Sequence, residues 1–108
     1  MGKIDENSLV GRWKEIMTEH NGKTKLSENR YSTYTFQKDG RMLFELLMDN
    51  KRITDGIDRH WILNRAGANP VIQITNESTD YEIISLDKKK LILRNSSNEI
   101  IYHFEKEW

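Results

Sequence analysis

The sequence predicts an all-β protein, an eight-stranded, up-and-down antiparallel barrel with a short helical turn at its N-terminus. Three observations support this fold class. Short apolar runs are separated by turn residues about every 8 to 12 positions, as in sandwiches and barrels. With one proline and no linker in 108 residues, we expect a single domain over residues 1–108. Eight short strands in consecutive hairpins favour a closed barrel, because closure pairs the two exposed edges.

Each strand is assigned where an apolar run lies between turn residues. The predicted strands are residues 11–18, 31–36, 41–48, 52–63, 71–75, 81–86, 90–94 and 99–106, and the helical turn is residues 5–10. The tripeptide Lys38-Asp39-Gly40 suits a tight hairpin, because glycine tolerates a positive φ. Asp49-Asn50-Lys51, Asp87-Lys88-Lys89 and Ser96-Ser97-Asn98 have the polar composition of turns.

Two segments are harder to assign. Residues 19–30 are polar and contain Leu26 as their one large apolar side chain, so we predict a long, mobile loop there. Gly56 interrupts the strand predicted at residues 52–63. We interpret it as a bulge that bends a long strand around the barrel. The alternative is a tight Asp55-Gly56 hairpin that would split this strand in two.

Composition and charge exclude several functional classes. Lys and Arg number 17, as do Asp and Glu, so there is no overall attraction to nucleic acid or to acidic lipid. We therefore expect no nucleic-acid partner, and we expect no membrane span, because no apolar run reaches the ~18 residues that one needs. Residues 1–10 lack an apolar signal core. We expect a periplasmic or cell-surface protein if a signal sequence has been removed, and a cytoplasmic one otherwise.

The sequence offers no catalytic or metal-binding constellation. His20, His60 and His103 lack the spacing of metal ligands, and the absence of cysteine excludes thiolate chemistry. The serines lie in turns without a nucleophile elbow. Glu15 and Glu45 are expected on the outer face, where water solvates them. We therefore expect no enzyme activity, no cofactor and no metal site.

Alternation along the strands selects an inner set of large side chains. This set consists of Trp13, Met17, Tyr34, Phe36, Met42, Phe44, Leu46, Met48, Trp61, Leu63, Ile72, Ile74, Tyr81, Ile83, Leu91, Leu93, Ile100, Tyr102 and Phe104. An eight-stranded barrel has room for its own side chains or for one small ligand. The interior is therefore either filled or open at one end.

Three stretches in this order resemble the small lipocalin-like domains of bacteria. They are Leu9-Val10-Gly11-Arg12-Trp13-Lys14, then Tyr34-Thr35-Phe36-Gln37-Lys38-Asp39-Gly40, and then Trp61-Ile62-Leu63 followed by Tyr81-Glu82-Ile83 and Leu91-Ile92-Leu93. The first resembles the Gly-x-Trp opening of lipocalins, and the second resembles a Phe-x-x-Asp-Gly hairpin. The resemblance implies a cup with a closed floor and an open mouth, with the loop at residues 19–30 over the mouth.

The resemblance also implies roles for individual residues at the floor of the cup. Trp13 would seal the floor beneath the N-terminal turn, with Lys106 of the last strand laid over its ring. Lipocalins more often have arginine at that position, and lysine stacks less well. Strand direction places Trp61 at the same end.

The mouth half carries the functional prediction, a shallow pocket for a small apolar, lipid-like or aromatic ligand. The predicted lining residues are Met17, Tyr34, Leu46, Met48, Ile74, Tyr81, Leu93 and Tyr102. Methionines suit loosely specified apolar ligands, and buried tyrosine hydroxyls need hydrogen-bond partners. The alternative is a solid barrel that acts as a protein-interaction or assembly module. A void of about 300 Å³ or more would favour the carrier.

Outward aliphatic residues suggest self-association. Ile16, Ile84, Ile92 and Ile101 would form one stripe if the first and last strands pair. Such a stripe predicts a weak homodimer. The alternative is that isoleucine is a good strand former that tolerates half exposure.

Overall fold

The chain forms a closed antiparallel β-barrel in the computed structural model, which describes residues 6–53, 56–65, 69–75 and 79–107. The elements are α1 (Glu6–Leu9), β1 (Gly11–His20), β2 (Lys23–Leu26), β3 (Arg30–Phe36), β4 (Arg41–Met48), β5 (Lys51–Arg52), β6 (Ile57–Asn64), β7 (Val71–Ile74), β8 (Asp80–Leu86), β9 (Lys90–Asn95) and β10 (Ile101–Lys106). The predicted fold class, with its short N-terminal helical turn, is confirmed.

Eight of these strands make the barrel wall, in the order β1-β3-β4-β6-β7-β8-β9-β10. The ring closes because β10 pairs with β1, from Trp13↔Lys106 to Glu19↔Ile101. Neighbours in the ring follow one another along the chain, as the predicted meander requires. β2 and β5 are short additions that pair with β1 and β4.

Residues 19–30 do not form the long irregular loop that composition predicted. β1 continues to His20, and β2 folds back on it as a hairpin. The turn is Asn21-Gly22, and both residues have positive φ, 53° and 77°. Asn-Gly is the preferred pair for such a turn, because both central residues must adopt this conformation. The hairpin therefore follows from a local turn signal that outweighs the polar composition of the segment.

The fourth predicted strand, residues 52–63, is interrupted in the structure and corresponds to two strands, β5 and β6. β5 and β6 pair with the same neighbour, β4, at Leu47↔Arg52 and Phe44↔Ile57. Three residue steps along β4, from Leu47 to Phe44, thus lie opposite five steps from Arg52 to Ile57, so the segment between β5 and β6 has two extra residues. Gly56 in this segment has a φ of 77°. A tight Asp55-Gly56 hairpin would pair β5 with β6. Both strands pair with β4 instead, so this alternative is wrong. Residues 54–55 lie outside the described part of the chain.

The floor of the barrel is closed by aromatic packing under α1. Trp13 is completely buried, and its indole N–H donates to the Leu9 carbonyl oxygen at 2.9 Å. The Lys106 ammonium lies 5.3 Å from the centroid of the Trp13 ring. Trp61 is also buried, and its indole N–H donates to the Gln37 carbonyl oxygen at 3.2 Å. Both tryptophans therefore combine a packed ring with a satisfied polar group.

Candidate ligand-binding site at the barrel mouth

An aromatic cluster fills the middle of the barrel. The ring of Tyr34 on β3 lies 5.2 Å from that of Phe104 on β10 and 5.4 Å from that of Phe44 on β4. It also lies 6.5 Å from the ring of Tyr81 on β8. Because β3 and β8 are on opposite sides of the ring of strands, this last contact crosses the interior. The cluster therefore separates the packed floor from the mouth.

Five of the predicted lining residues belong to the core or to its upper boundary. Ile74 and Leu93 are buried in the same cluster as the floor residues. Tyr34, Tyr81 and Tyr102 are half-buried and pack against that cluster, with Tyr81 and Tyr102 at a ring separation of 6.4 Å. These five side chains contribute to a filled barrel centre, and the tyrosines form the base of any pocket above it.

The inner face of β4 changes from buried to exposed on going towards the mouth. Met42 is buried, whereas Met48, on the same face, is 44% exposed. Leu46 lies between them and is half-buried. After β5, the backbone N–H of Ile53 donates to the Leu46 carbonyl oxygen at 2.9 Å. Alternation puts Ile53 on the face of Met48, and it is 47% exposed.

These inward apolar side chains reach solvent, so the mouth is open beside them. Ile53 was not in the predicted inner set. It follows the Asp49-Asn50 turn, and only the pairing of β5 with β4 reveals on which face it lies.

A β-bulge at Ile16 changes which side chains of β1 point inward. Glu15 pairs with Phe104, and Met17 pairs with His103, so Ile16 is an extra residue in β1. Directly paired residues share a face, and Phe104 and Tyr102 face the interior. Glu15 is therefore inward, and so is Thr18 opposite Tyr102.

The structure corrects two expectations about β1. Met17, predicted to line the pocket, faces outward beside Leu26 and His103. Glu15, expected to be solvated outside, faces inward. The inserted residue reverses the alternation after Ile16, which accounts for Met17, whereas Glu15 precedes the bulge and is inward by simple alternation from Trp13.

The wall of the barrel divides next to this bulge. β1 pairs with β3 only from Gly11↔Phe36 to Lys14↔Thr33. Beyond that point β1 pairs with β2, from Met17↔Leu26 to His20↔Lys23. The separation leaves a cavity of about 320 Å³, which we call the strand-split cleft. Its lining residues are Glu15, Thr18, Lys25, Leu26, Ser27, Glu28, Asn29 and Arg30.

The Glu15 carboxylate bridges the separated strands. It accepts hydrogen bonds from the Ser27 hydroxyl, at 3.0 Å, and from the backbone N–H of Ser32. Burial raises the pKa of Glu15, and the two hydrogen bonds oppose that rise in part. Burial likewise raises the pKa of Tyr102, and the Glu15 charge adds to the rise. The Glu15 carboxylate and the Tyr102 phenol therefore interact electrostatically on the inner side of the wall.

Two other acidic side chains near the mouth have partners on the outer face. Glu45 lies outside, as expected, but is buried there beside Arg52, with a distance of 3.3 Å between its Oε2 and Arg52 Nη1. His103 Nε2 lies 2.9 Å from Glu19 Oε1. Among the residues that the structure describes, no three His, Asp or Glu side chains converge as metal ligands would. The same part of the chain contains no helix long and apolar enough to cross a membrane.

The outer isoleucines do not form an unbroken stripe. Ile92 pairs with His103, and Ile101 pairs with Arg94, so each has a polar neighbour across the ladder. Arg94 in turn forms an ion pair with Glu82, at 3.2 Å. The weak homodimer stays a prediction.

Comparison with known proteins supports the fold independently. The chain is similar to a lipocalin-like protein from Bacteroides uniformis ATCC 8492, known from its crystal structure. The TM-score is 0.63 at 16% sequence identity, over 92% of this chain and 98% of the other. No family model and no curated protein matches the sequence. The protein therefore has the fold of a lipocalin-like barrel, and at this identity the likeness establishes the fold alone.

Proposed function

We propose that the protein binds a small apolar molecule in the mouth of its barrel, without catalysis. The observation that carries the proposal is the exposure of Met48 and Ile53 on the inner face. Apolar groups that point into a barrel are normally removed from water, and a ligand there would cover them. The half-buried tyrosines would form the base of this pocket.

A cleft next to the mouth also supports the proposal, since its lining residue Arg30 pairs with Met48. The strand-split cleft lies on the same side of the aromatic cluster, and its volume of about 320 Å³ falls at the lower end of the range for small-molecule sites. Thr18 lines the cleft and pairs with Tyr102, which connects the cleft to the tyrosine base. A ligand could therefore occupy the mouth between the wall of β4 and the cleft.

An environment-sensitive apolar dye tests this function. We expect the dye to bind the parent protein and Met48→Ser to weaken binding about five-fold, because the substitution removes roughly 1 kcal/mol of apolar contact. Ile62→Ser is the matched control, since Ile62 is 62% exposed and alternates to the outer face between Trp61 and Leu63. Absence of dye binding, or equal weakening by both variants, would contradict the proposal.

The second candidate is a solid barrel that serves as a protein-interaction or assembly module. The aromatic contact across the barrel between Tyr34 and Tyr81 favours it, because the middle of the barrel is filled. A parent protein that binds no apolar dye would make this module the better interpretation.

A further inference from the structure

We infer that the ligand carries a cationic, hydrogen-bond-donating head group, of the amine or guanidine class, which binds Glu15 in the strand-split cleft. This inference rests on the proposed function and names the class of molecule that the mouth accepts. It is carried by the cleft, by the inward direction of Glu15 and by the hydrogen bonds that fix its carboxylate.

The carboxylate is held in place and still has acceptor capacity. The Ser27 hydroxyl and the Ser32 N–H are its two donors. An ionised carboxylate has about four acceptor positions, so two hydrogen bonds leave room for more. In a continuous sheet the Ser32 N–H would donate to a backbone carbonyl oxygen of β1. Here the Glu15 side-chain carboxylate accepts that hydrogen bond instead. The carboxylate is therefore held by one side-chain and one main-chain donor at a point where the wall is open.

Among the ionisable groups around the cleft, we assign the selection of the ligand's head group to Glu15. The ionisable groups around it are the Tyr102 phenol from β10 and, along the cleft, Lys25 of β2, Glu28 of the turn and Arg30 of β3. The last three are exposed, whereas Glu15 is half-buried. Water and salt screen exposed charges more strongly than they screen a half-buried carboxylate.

A cationic donor would offset the cost of burying this carboxylate, and a carboxylate ligand would add to it. The burial that raises the pKa of Glu15 is a measure of that cost. An apolar chain joined to an amine would place its chain against Leu46, Met48 and Ile53 and its head in the cleft. The inference therefore specifies an amphipathic amine.

Three probes with the same alkyl chain, n-octylamine, 1-octanol and octanoate, test the inference by displacing the apolar dye. At neutral pH we expect octylamine to bind about ten-fold more tightly than octanoate, the gain of one charged hydrogen bond. Glu15→Gln keeps the acceptor for Ser27 and Ser32 and should remove most of this preference without changing octanol binding. Glu19→Gln is the control, since Glu19 lies on the same strand but faces outward beside His103.

A pH series on the parent protein gives a second measurement that needs no variant. Octylamine affinity should fall as the pH is lowered through the pKa of Glu15, while octanol affinity stays constant. If octanol binds but octylamine has no advantage and no pH dependence, the inference is wrong and the proposed function stands. If none of the probes displaces the dye and the dye itself does not bind, the proposed function fails and the inference fails with it.

Discussion

Trp13→Ala tests whether the floor of the barrel depends on one side chain. The indole is completely buried, donates to the Leu9 carbonyl oxygen of α1 and lies beneath the Lys106 ammonium. Truncation would remove the ring from the core cluster and leave the Leu9 carbonyl without its indole donor. It would also weaken the attachment of α1, which would then depend on the buried Leu9 side chain alone among these two contacts.

The expected loss in the free energy of unfolding follows from the buried area of the Trp13 ring and from its indole hydrogen bond. An aromatic side chain buries about 200 Å², which at about 25 cal/mol per Å² corresponds to about 5 kcal/mol. Measured truncations of buried tryptophan fall at about 3 to 5 kcal/mol. We therefore expect a loss of about 4 kcal/mol, a large part of the 5 to 15 kcal/mol typical of whole domains. Trp13→Phe keeps most of the ring but removes the indole N–H, and should cost about 1 to 2 kcal/mol.

Urea denaturation followed by circular dichroism measures both values. The expected order of the free energy of unfolding is parent, then Trp13→Phe, then Trp13→Ala, with unchanged slopes against urea. A Trp13→Ala protein within about 0.5 kcal/mol of the parent, the range usual for surface substitutions, would refute the reasoning. That result would mean that the ring is not packed between α1 and Lys106.

Three further predictions concern the β1–β2 hairpin, the outer ion pair and the bridging carboxylate. Gly22→Ala should destabilise the protein by about 1 kcal/mol, because φ is 77° there, whereas Asn21→Gly should leave the melting temperature nearly unchanged. Arg52→Ala should cost about 1 kcal/mol by leaving Glu45 buried without its partner, and adding Glu45→Gln should restore part of that loss in chemical denaturation. Because burial raises the pKa of Glu15 in the folded protein, its contribution to stability is present at low pH and is lost as pH rises through that pKa. Glu15→Gln should therefore melt above the parent at neutral pH, with the difference shrinking in acid; a constant difference would contradict the assignment.

The strand positions and the closed barrel could be predicted because they depend on local signals. Turn residues such as Lys38-Asp39-Gly40 mark hairpins, and the alternation of apolar side chains identifies each strand. The irregularity between β5 and β6 could also be predicted, because a glycine inside a strand, here Gly56, often marks a bulge. The Asn21-Gly22 turn was equally visible in the sequence. It was missed because the polar composition of the segment was given more weight than its turn chemistry.

The candidate site was less predictable, since it depends on a bulge that has no sequence mark. Ile16 is a good strand residue, and nothing in its type indicates that it is the extra residue in β1. Because of this bulge Met17, expected inside, faces outward. Glu15 was expected outside because of its charge, although alternation from Trp13 places it inside, where the structure has it. The exposure of Met48 at the mouth could not be predicted from the sequence either. Alternation predicts its inward direction, but its contact with solvent depends on the surrounding strands.

The bulge and the cleft are connected by the geometry of the sheet. A bulge increases local twist and bends its strand, so β1 after Ile16 can no longer follow β3. β2 then takes the pairing positions on that edge, and the Glu15 carboxylate takes the hydrogen bond that β1 no longer accepts from Ser32. The bulge and the end of the β1–β3 pairing thus occur together next to Glu15, whose side chain faces inward by alternation from Trp13. Partial burial of a carboxylate raises the cost of folding, and the place of Glu15 at an open seam is the feature that the proposed cationic ligand would use.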